Sequence, residues 1–406
     1  MQFNDILAKF APTKEDQRQL HVQIQDVVKK IKVKDASVLV GGSGGKNTWL
    51  KGTHDIDLYV LFKYEKYKDK SDQLADLLHT ALKKSFKTID RLHGSRDYFQ
   101  IKKDHYTFEI VPILNIRKYK DAKNTTDLSQ LHVAYVKKHA KMVNEIRLAK
   151  ILARAQNMYG AESYQRGFSG YCLEVLVIHY GSFTKFMRAA AKWKVTHVIG
   201  KKQDVATLNA AKKVSPLILI DPVQPDRNVA AALSQEKYDL LRAKAKAFIK
   251  RPSPAYFEKQ RIDLKKCARL GKVVVLEVFP LSGKKDIVGA KMLKAFELLK
   301  DKMEDHEFKI KSAQWEFNHE SLSYIYLVIE KKQLSDKIRH DGPPKTQEKA
   351  LKIFKKKYKN ISFENEKSFV MLPRKYKTAE ECIADLLEDK NVQERVKKIK
   401  IAAIIE

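Results

Sequence analysis

Two aspartates, Asp55 and Asp57, stand one residue apart at the start of an apolar run that reads DIDLYVLF. Side chains of a β-strand alternate between its two faces, so both carboxylates point the same way while Ile56, Leu58 and Val60 point into the opposite, packed face. Two carboxylates this close repel each other unless a cation lies between them. The spacing therefore predicts a divalent ion shared by the aspartates and by phosphate oxygens; the alternative is a strand end with two solvated aspartates.

A phosphate-binding turn and a third carboxylate are predicted to accompany this pair. The Gly-Gly-Ser segment at 41–43 supplies a tight turn, whose backbone N–H groups and Ser43 hydroxyl can hold a phosphate. Glu109, in the strand-like YTFEIVP, shares one face with Thr107 and Val111, and an acid in so apolar a strand needs a partner. Glu109 is therefore the candidate that completes a two-metal site; the alternative is an ion pair with one of the many lysines.

The composition indicates a protein that meets polyanions. The chain has 406 residues, with 80 Lys and Arg against 49 Asp and Glu, and its formal net charge is +31. This length predicts two to four domains. The charge predicts attraction to nucleic acid, an acidic membrane surface or a polyphosphate ligand, although it could serve solubility alone.

The cysteines and the hydropathy pattern exclude several classes of protein. Cys172, Cys267 and Cys382 lie far apart, and no CxxC pair occurs, which argues against a zinc ribbon or a disulfide framework. No apolar run approaches the roughly 18 residues that a membrane helix needs, and the N-terminal stretch lacks a signal-peptide core. We therefore expect reduced thiols and a cytoplasmic protein without a membrane partner.

Hydrophobic periodicity divides the chain into three stretches. The first 120 residues predict a mixed α/β unit, with a helix over 13–31 capped by Thr13, a helix in SDQLADLLHTALKKSF, and strands in SVLVGG, DIDLYVLF, DYFQIKK and YTFEIVPIL. After about Leu128 helices dominate, in EIRLAKILARAQNMYG, GYCLEVLVIHYGSFTKFMRAAAKW and NVAAALSQEKYDLLRAKAKAFIK. Beyond RPSP at 251–254, which is the best linker signal, strand patterns alternate with lysine-rich helices.

One segment of the last stretch is strongly basic. Residues 331–360 hold 11 Lys or Arg against 3 Asp or Glu, and KTQEKALKIFKKKYKN predicts a helix with a basic face beside Phe354 and Tyr358. Such a run is commonly a solvated helix face. Together with the excess of positive charge in the whole chain, it predicts an RNA-facing surface.

The stretch GGSGGKNTWLKGTHDIDLYVLF resembles the catalytic motif of the DNA polymerase β-like nucleotidyltransferase superfamily, and most of all that of the archaeal, class I CCA-adding enzymes. Three later stretches strengthen the resemblance: EIRLAKILARAQNMYGAESYQRGFSGYCLEVLVIHYGSF, PLILIDPVQPDRNVAAALS, and GPP at 342–344 followed by a basic helix. The matching stretches span most of the chain and follow one another in the same order as in the family.

The resemblance implies an α+β multidomain enzyme. Residues 1–140 would form a polymerase β-like catalytic head, 141–255 a helical nucleotide-binding neck, and 256–406 a mixed α/β body and tail that bind tRNA. The implied reaction adds C, C and A to the tRNA 3′ end from CTP and ATP without a template, with Mg²⁺ as cofactor. A homodimer is left open.

The same resemblance assigns roles to single residues. Asp55, Asp57 and Glu109 would be the catalytic, metal-binding carboxylates. The implied nucleotide contacts are Ser43 and Lys46 on the triphosphate, Arg227 on the incoming base, and further contacts at His132, Lys150 and Tyr159.

Three positions depart from the family pattern. Glu109 stands where aspartate is usual, Lys46 where arginine is usual, and Gln224 where an acid is common. The change at Lys46 turns a bidentate phosphate contact into a point charge.

Considered one by one, the residues implied to contact the nucleotide could instead have structural roles. Lys150 and Tyr159 are predicted on one amphipathic helix as surface or packing residues. His132 could be structural, and Arg227 could pair with Asp221 or Asp226.

Other functions share the same residues. A poly(A) polymerase, an oligoadenylate synthetase-like enzyme or a split C- or A-adding enzyme would use the same chemistry. A non-catalytic tRNA-binding module conflicts with the intact carboxylates. A nucleotidyltransferase acting on an antibiotic leaves the basic C-terminal half unexplained.

Overall fold

The computed structural model describes residues 3–259, 262–319, 321–331 and 333–406. The chain divides into two compact units, residues 1–260 and 261–406. This break lies beyond the RPSP segment, because Phe257, in the short turn Pro254–Phe257, is buried in the core of the first unit. All the residues predicted to bind metal or nucleotide belong to the first unit.

The elements of the first unit follow the predicted order of a mixed α/β stretch and then a helical one. Its helices are α1 (Asn4–Phe10), α2 (Lys14–Lys30), α3 (Gly42–Gly45), α4 (Tyr64–Tyr67), α5 (Leu74–Leu82), α6 (Ser129–Lys137), α7 (Val143–Ala155), α8 (Gly170–Tyr180), α9 (Phe183–Ala190), α10 (Lys202–Thr207) and α11 (Gln235–Lys250). Its strands are β1 (Ala36–Val40), β2 (Asp55–Lys63), β3 (Asp90–Leu92), β4 (Tyr98–Lys103), β5 (Tyr106–Asn115), β6 (His197–Ile199) and β7 (Leu217–Leu219). Short 3₁₀ turns lie at Lys68–Gln73, Tyr119–Asp121, Thr125–Leu128, Ala140–Met142 and Ala210–Lys213.

The first strands form one sheet in the order β1-β2-β5-β4-β3, in which β2 and β5 run parallel and the other pairs antiparallel. The apolar face of β2, with Ile56, Leu58 and Val60, packs into the same core as α2 and α5. Helix α2 begins as predicted, at a capping box in which the Thr13 hydroxyl accepts from the Asp16 amide and the Asp16 carboxylate accepts from the Thr13 amide. The face of β2 that carries the two aspartates is therefore the face turned away from this core.

Helices α7, α8, α9 and α11 form the second core of the first unit. Serine hydroxyls cap the last three of them, from Ser169, Ser182 and Ser234, and Gly181 ends α8 with a φ of 80°. The predicted helix at 228–250 begins late, at Gln235, because the Asn228 side chain bonds the amides of Leu219 and Ala230 and holds a turn there.

The second unit combines two sheets. Its helices are α12 (Leu264–Ala268), α13 (Lys285–Asp305), α14 (Glu348–Lys357), α15 (Ala379–Leu387) and α16 (Lys390–Gln393). Its strands are β8 (Lys272–Phe279), β9 (Ile310–Glu316), β10 (Ser323–Ile329), β11 (Lys337–Pro344), β12 (Ser362–Glu364), β13 (Lys367–Pro373) and β14 (Lys398–Ile405).

The two sheets have the orders β14-β8-β10-β9 and β11-β13-β12. The smaller sheet and the basic helix α14 come from an insertion between β10 and α15. Phe354 of α14 is buried, with its ring 4.8 Å from that of Tyr358 and 5.8 Å from that of His340. Phe354 therefore packs inside the insertion, whereas the lysines of α14 and Ile353 are exposed.

Among the residues that the structure describes, none of the helices combines the length and apolar character that a bilayer crossing requires.

Candidate active site

The three predicted carboxylates meet on neighbouring strands. Because β2 and β5 are parallel, Asp57 lies directly beside Glu109 and Asp55 beside Thr107. Residues in register on adjacent strands share a face, so the three acids lie on one face of the sheet, towards the N-terminal end of β2. On its other side, Glu109 Oε1 accepts a hydrogen bond of 2.8 Å from Gln100 Nε2, which lies opposite on β4. We call Asp55, Asp57 and Glu109 the carboxylate edge.

The electrostatics of the carboxylate edge disfavour its charge. Burial raises the pKa of Asp57 to about 6, and the negative charges of Glu109 and Asp55 add to this while Lys46 opposes it. Burial also raises the pKa of Glu109, although the Gln100 hydrogen bond lowers it. Among the described residues, none of the three acids forms an ion pair with a lysine or arginine, so the ion-pair alternative for Glu109 is not what the fold contains.

The carboxylate edge supplies the kind of ligand atoms that bind metal ions, but its side chains are not yet gathered around one point. In the described part of the chain, no three His, Cys, Asp or Glu side chains stand close enough together to hold an ion as they are placed. The donor set consists of carboxylate oxygens, which suit a hard divalent cation such as Mg²⁺. Burial raises the pKa of Asp57 and the charges of the neighbouring acids add to it, and a bound cation would relieve that mutual repulsion.

The glycine segment, predicted as a tight turn, forms the one-turn helix α3. The amide of Gly41 donates to the Asp57 carbonyl at 2.8 Å, which ties α3 to the carboxylate edge. Gly42 has a φ of +49°, and a Cβ at this position would lie 1.7 Å from Asp57 Oδ2. Only glycine lets the backbone approach the carboxylate this closely. Ser43 is the next residue of α3.

Lys46 and Lys150 converge on one buried acid that the sequence predictions missed. Glu174, with a side chain 1% exposed, accepts from Lys46 Nζ at 2.9 Å and from Lys150 Nζ at 2.8 Å. The Thr48 hydroxyl donates to the same carboxylate at 2.7 Å. Burial works to raise the pKa of Glu174, but the two lysines outweigh it and lower that pKa to about 2. The available signal was a single acid within the otherwise apolar sequence of α8.

The prediction that Tyr159 shares a helix with Lys150 is wrong. Helix α7 ends at Ala155 because Asn157 adopts a left-handed conformation, with a φ of 54°, and Tyr159 lies beyond it in a β-bridge with Phe168. The two side chains nevertheless meet at Gly170. A Cβ at Gly170 would lie 2.9 Å from Tyr159 Oη and 3.7 Å from Lys150 Nζ.

A second buried acid, Asp221, gathers the other predicted residues. Arg227 Nη1 lies 2.9 Å and His132 Nε2 3.2 Å from Asp221 Oδ2, and the Tyr171 hydroxyl donates to Asp221 Oδ1 at 2.9 Å. The alternative reading of Arg227 as a partner of Asp221 is thus correct for this structure. The side chain of Arg227 is nevertheless 39% exposed. Burial works to raise the pKa of Asp221, but the hydrogen bond and charge of His132, together with Arg227, lower it.

The ring of Tyr171 lies near cations from both sets, the one around Glu174 and the one around Asp221. Lys46 Nζ lies 5.1 Å and the Arg227 guanidinium carbon 5.9 Å from its centroid, and the His132 ring is 4.3 Å away. The fold therefore places Lys46, Lys150, Arg227 and His132 around α8, with the carboxylate edge next to Lys46. Sequence reasoning named the cations of this arrangement, and Asp221 as an alternative partner of Arg227, but not Tyr171 or Glu174.

The sheet and its acids define a class of protein. Residues 21–151 match the nucleotidyltransferase domain family. The structure resembles a cytoplasmic RNA terminal U-transferase, with a TM-score of 0.51 at 14% identity over 64% of this chain and 98% of that one. It also resembles the Cid1 poly(U) polymerase, with a TM-score of 0.50 at 14% identity over 63% and 97% of the two chains. The predicted fold class, an α+β protein with a polymerase β-like nucleotidyltransferase head, is confirmed.

The rest of the chain narrows the class to one family. Residues 144–258 match the second domain of tRNA nucleotidyltransferases, and residues 282–402 match the C-terminal domain of CCA-adding enzymes. The chain is 33% identical to the CCA-adding enzyme of Nanoarchaeum equitans over 85% of its length and 86% of the relative's. It is 30% identical to that of Pyrobaculum aerophilum, over 89% and 86% of the two chains. The chain therefore belongs to the family of archaeal-type CCA-adding enzymes, the tRNA nucleotidyltransferases.

Proposed function

We propose that this chain adds C, C and A to the 3′ end of tRNA from CTP and ATP, without a nucleic-acid template, and releases pyrophosphate. The observation that carries the proposal is the meeting, within one compact unit, of the carboxylate edge with cations suited to a triphosphate and a base. Family membership supports the choice of tRNA as the substrate.

The carboxylate edge is the proposed catalytic centre. Asp55, Asp57 and Glu109 would hold Mg²⁺, which when bound lowers the pKa of the attacking 3′-hydroxyl and stabilises the leaving pyrophosphate. Asp55 and Asp57 belong to the rigid strand β2, so their spacing is fixed before substrate arrives. Glu109 carries one methylene more than aspartate and is oriented by Gln100.

The triphosphate is the proposed partner of Ser43, Lys46, Lys150 and Tyr159. Ser43 follows Gly42, whose backbone approaches the Asp57 carboxylate, while Lys150 and Tyr159 meet at Gly170. Glu174 is then a positioning residue: it holds both ammonium groups in place, and its single charge leaves the lysine pair with a net positive charge. A phosphate oxygen can therefore be bound by donors that are already in position.

Arg227 is the proposed reader of the base. Its guanidinium is fixed by Asp221 on one side and remains partly exposed on the other, and His132 shares the same carboxylate. Fixed donors match the acceptor atoms of cytosine and adenine and leave mispaired groups with uracil and guanine, which accounts for base choice without a template. Asp221 would act through Arg227 as a positioning residue.

We propose the division into head, neck, and body with tail at 1–140, 141–255 and 256–406, with the last part binding tRNA. The exposed lysines of α14 support phosphate contacts of the kind that duplex RNA offers. The three cysteines are free thiols, which suits a reducing, cytoplasmic compartment. Sedimentation of the full chain measures whether it forms a homodimer.

The test incubates the protein with a tRNA transcript that lacks CCA, with Mg²⁺ and with CTP alone, ATP alone or both nucleotides. We expect two cytidines from CTP alone, and full CCA with both nucleotides. A long A tail from ATP alone would indicate a poly(A) polymerase, and addition of only C or only A a split enzyme. Binding of tRNA without any incorporation would leave only a tRNA-binding module.

A further inference from the structure

The larger sheet of the second unit follows a β-α-β-β-α-β path. Strand β8 leads through α13 to β9 and β10, and α15 leads to β14, with the spatial order β14-β8-β10-β9. One face of this sheet is covered by helices, since Leu276, Leu299 and Ile383 share one buried core. The other face is covered differently.

Among the described residues, helix α12 packs on the second face. Val273, Val275 and Val328 pack there with Leu264 and Cys267, both of which belong to α12. Two tyrosines also pack against this valine cluster. Tyr324 and Tyr326, on the central strand β10, both stay partly exposed, with ring centroids 6.0 Å apart and planes at 27°.

A third aromatic residue extends this row. Phe279 is 37% exposed at the end of β8. Tyr324 lies in register with Glu277, and side chains alternate, so Phe279 shares the face of Tyr324. We call the surface of Phe279, Tyr324 and Tyr326 the aromatic face. Three partly exposed rings on one sheet are more than isolated surface apolar residues and indicate a ligand.

The charges around the aromatic face favour an anionic ligand at one end. On the edge strand β14, Lys398 lies in register with Phe279. Lys398 is exposed and forms no ion pair with the residues that the structure describes. The nearest acid on β8, Glu277, is already neutralised by Lys400 at 2.8 Å. Glu316, on β9, lies in register with Tyr324, at the side away from Lys398.

We propose that the aromatic face binds unpaired nucleotides of an RNA, with bases stacked on Tyr324, Tyr326 and Phe279 and a phosphate on Lys398. Any base offers a flat π-face, so aromatic side chains on a sheet suit single-stranded nucleic acid irrespective of sequence. A protein ligand would be expected to use the unpaired edge of β14, whereas these rings lie on the face. The RNA substrate rests on the proposed function, and the site itself does not.

The test measures RNA binding by the full chain. The probes are a fluorescein-labelled 12-nucleotide single-stranded RNA and a tRNA transcript that lacks CCA. The variant Tyr324→Leu with Tyr326→Leu keeps apolar contacts with the valines and removes the rings. We expect it to bind the 12-mer at least roughly 5- to 150-fold more weakly, the range for loss of a single stacked base. The matched control, Tyr324→Phe with Tyr326→Phe, keeps the rings and should bind within about twofold of the wild type.

Three outcomes would overturn the inference. Unchanged affinity of the leucine variant for both RNAs would show that no base stacks on the rings. An equal loss in the phenylalanine control would assign the effect to the hydroxyl groups. A change in sedimentation with unchanged RNA affinity would make the aromatic face a protein contact.

A second measurement does not depend on the variants folding. Ultraviolet cross-linking of the wild-type chain to a 4-thiouridine RNA should give cross-linked peptides from β8 and β10, and cross-links confined to other segments would contradict the site. The CCA assay separates the two proposals. Failure of the wild type to add CCA would count against the proposed function alone, whereas normal addition together with unchanged binding by the leucine variant would count against the aromatic face alone.

Discussion

Two groups of acidic side chains in the first unit differ in what neutralises them. The carboxylate edge has no ionic partner among the described residues, and the pKa values of Asp57 and Glu109 are raised. Glu174 and Asp221 are more deeply buried, yet their pKa values are lowered because lysines, a histidine and an arginine surround them.

The difference shows how one fold assigns opposite tasks to the same chemical group. An acid without a protein cation keeps its affinity for a cation from solution, which is what a metal-dependent centre needs. An acid with several protein cations forms ion pairs that fix the positions of these cations, which is what a site for a triphosphate and a base needs. Substitutions in the two groups should therefore fail in different ways.

The largest expected effect is on catalysis at the carboxylate edge. Asp57→Asn should reduce nucleotide incorporation about 1,000-fold or more, because a metal ligand contributes several kcal/mol to the transition state. The same change should stabilise the metal-free protein, since it removes a buried charge beside two other acids. Thermal melting checks this: Mg²⁺ should raise the midpoint of the wild type more than that of the variant. A variant that retains near-normal turnover would contradict the metal site.

The next effect is on folding stability at Glu174. Glu174→Gln leaves two buried ammonium groups without their anion and should lower the free energy of unfolding by about 3–5 kcal/mol. Urea denaturation measures this. The matched control is Glu65→Gln, which removes an exposed partner of Lys68 and should leave unfolding unchanged. If both variants unfold alike, the lysine pair does not depend on Glu174.

The pH dependence of unfolding sharpens this prediction. The pKa of Glu174 is about 2 in the folded chain, against an ordinary value of 4.5. A lowered pKa contributes stability that is present above about pH 4.5 and is lost as the pH falls towards 2. The wild type should lose stability over this interval more steeply than Glu174→Gln.

A smaller effect is expected at the base site. Arg227→Ala should raise the KM for CTP and ATP together and relax discrimination against UTP and GTP, at about 1–3 kcal/mol. Asp221→Asn should act in the same direction by releasing Arg227. Asp226→Asn, in the exposed neighbouring acid, is the control and should leave kinetics unchanged. Steady-state kinetics with all four nucleotides measure these effects, and loss of one nucleotide with unchanged fidelity would exclude Arg227 as the shared reader.

The smallest effect is expected from Glu109→Asp, which restores the usual family residue. We expect incorporation within about tenfold of the wild type, because the carboxylate remains and only its reach changes, with each 1.4 kcal/mol worth a factor of ten. Glu109→Gln should be severely impaired. If the two variants were equally active, Glu109 would hold Gln100 in place and would not bind metal.

Local patterns predicted much of the fold because they depend on neighbours in sequence. The capping box at Thr13, the alternation along Asp55–Lys63 and the helical spacing of α5 follow from backbone geometry. The end of α7 depended on one residue, Asn157, whose left-handed backbone the apolar periodicity did not reveal. The placement of Tyr159 was missed for that reason.

The sequence by itself determined the chemistry: paired aspartates on an apolar strand, a glycine segment before them, a third acid further on, and the excess of positive charge. The tertiary structure decided the partners. The parallel register of β2 and β5 sets Asp57 beside Glu109, and the packing of α8 against the head brings Glu174 to Lys46, a residue 128 positions away. Such pairings depend on burial and on contacts between distant segments, which a local pattern does not record.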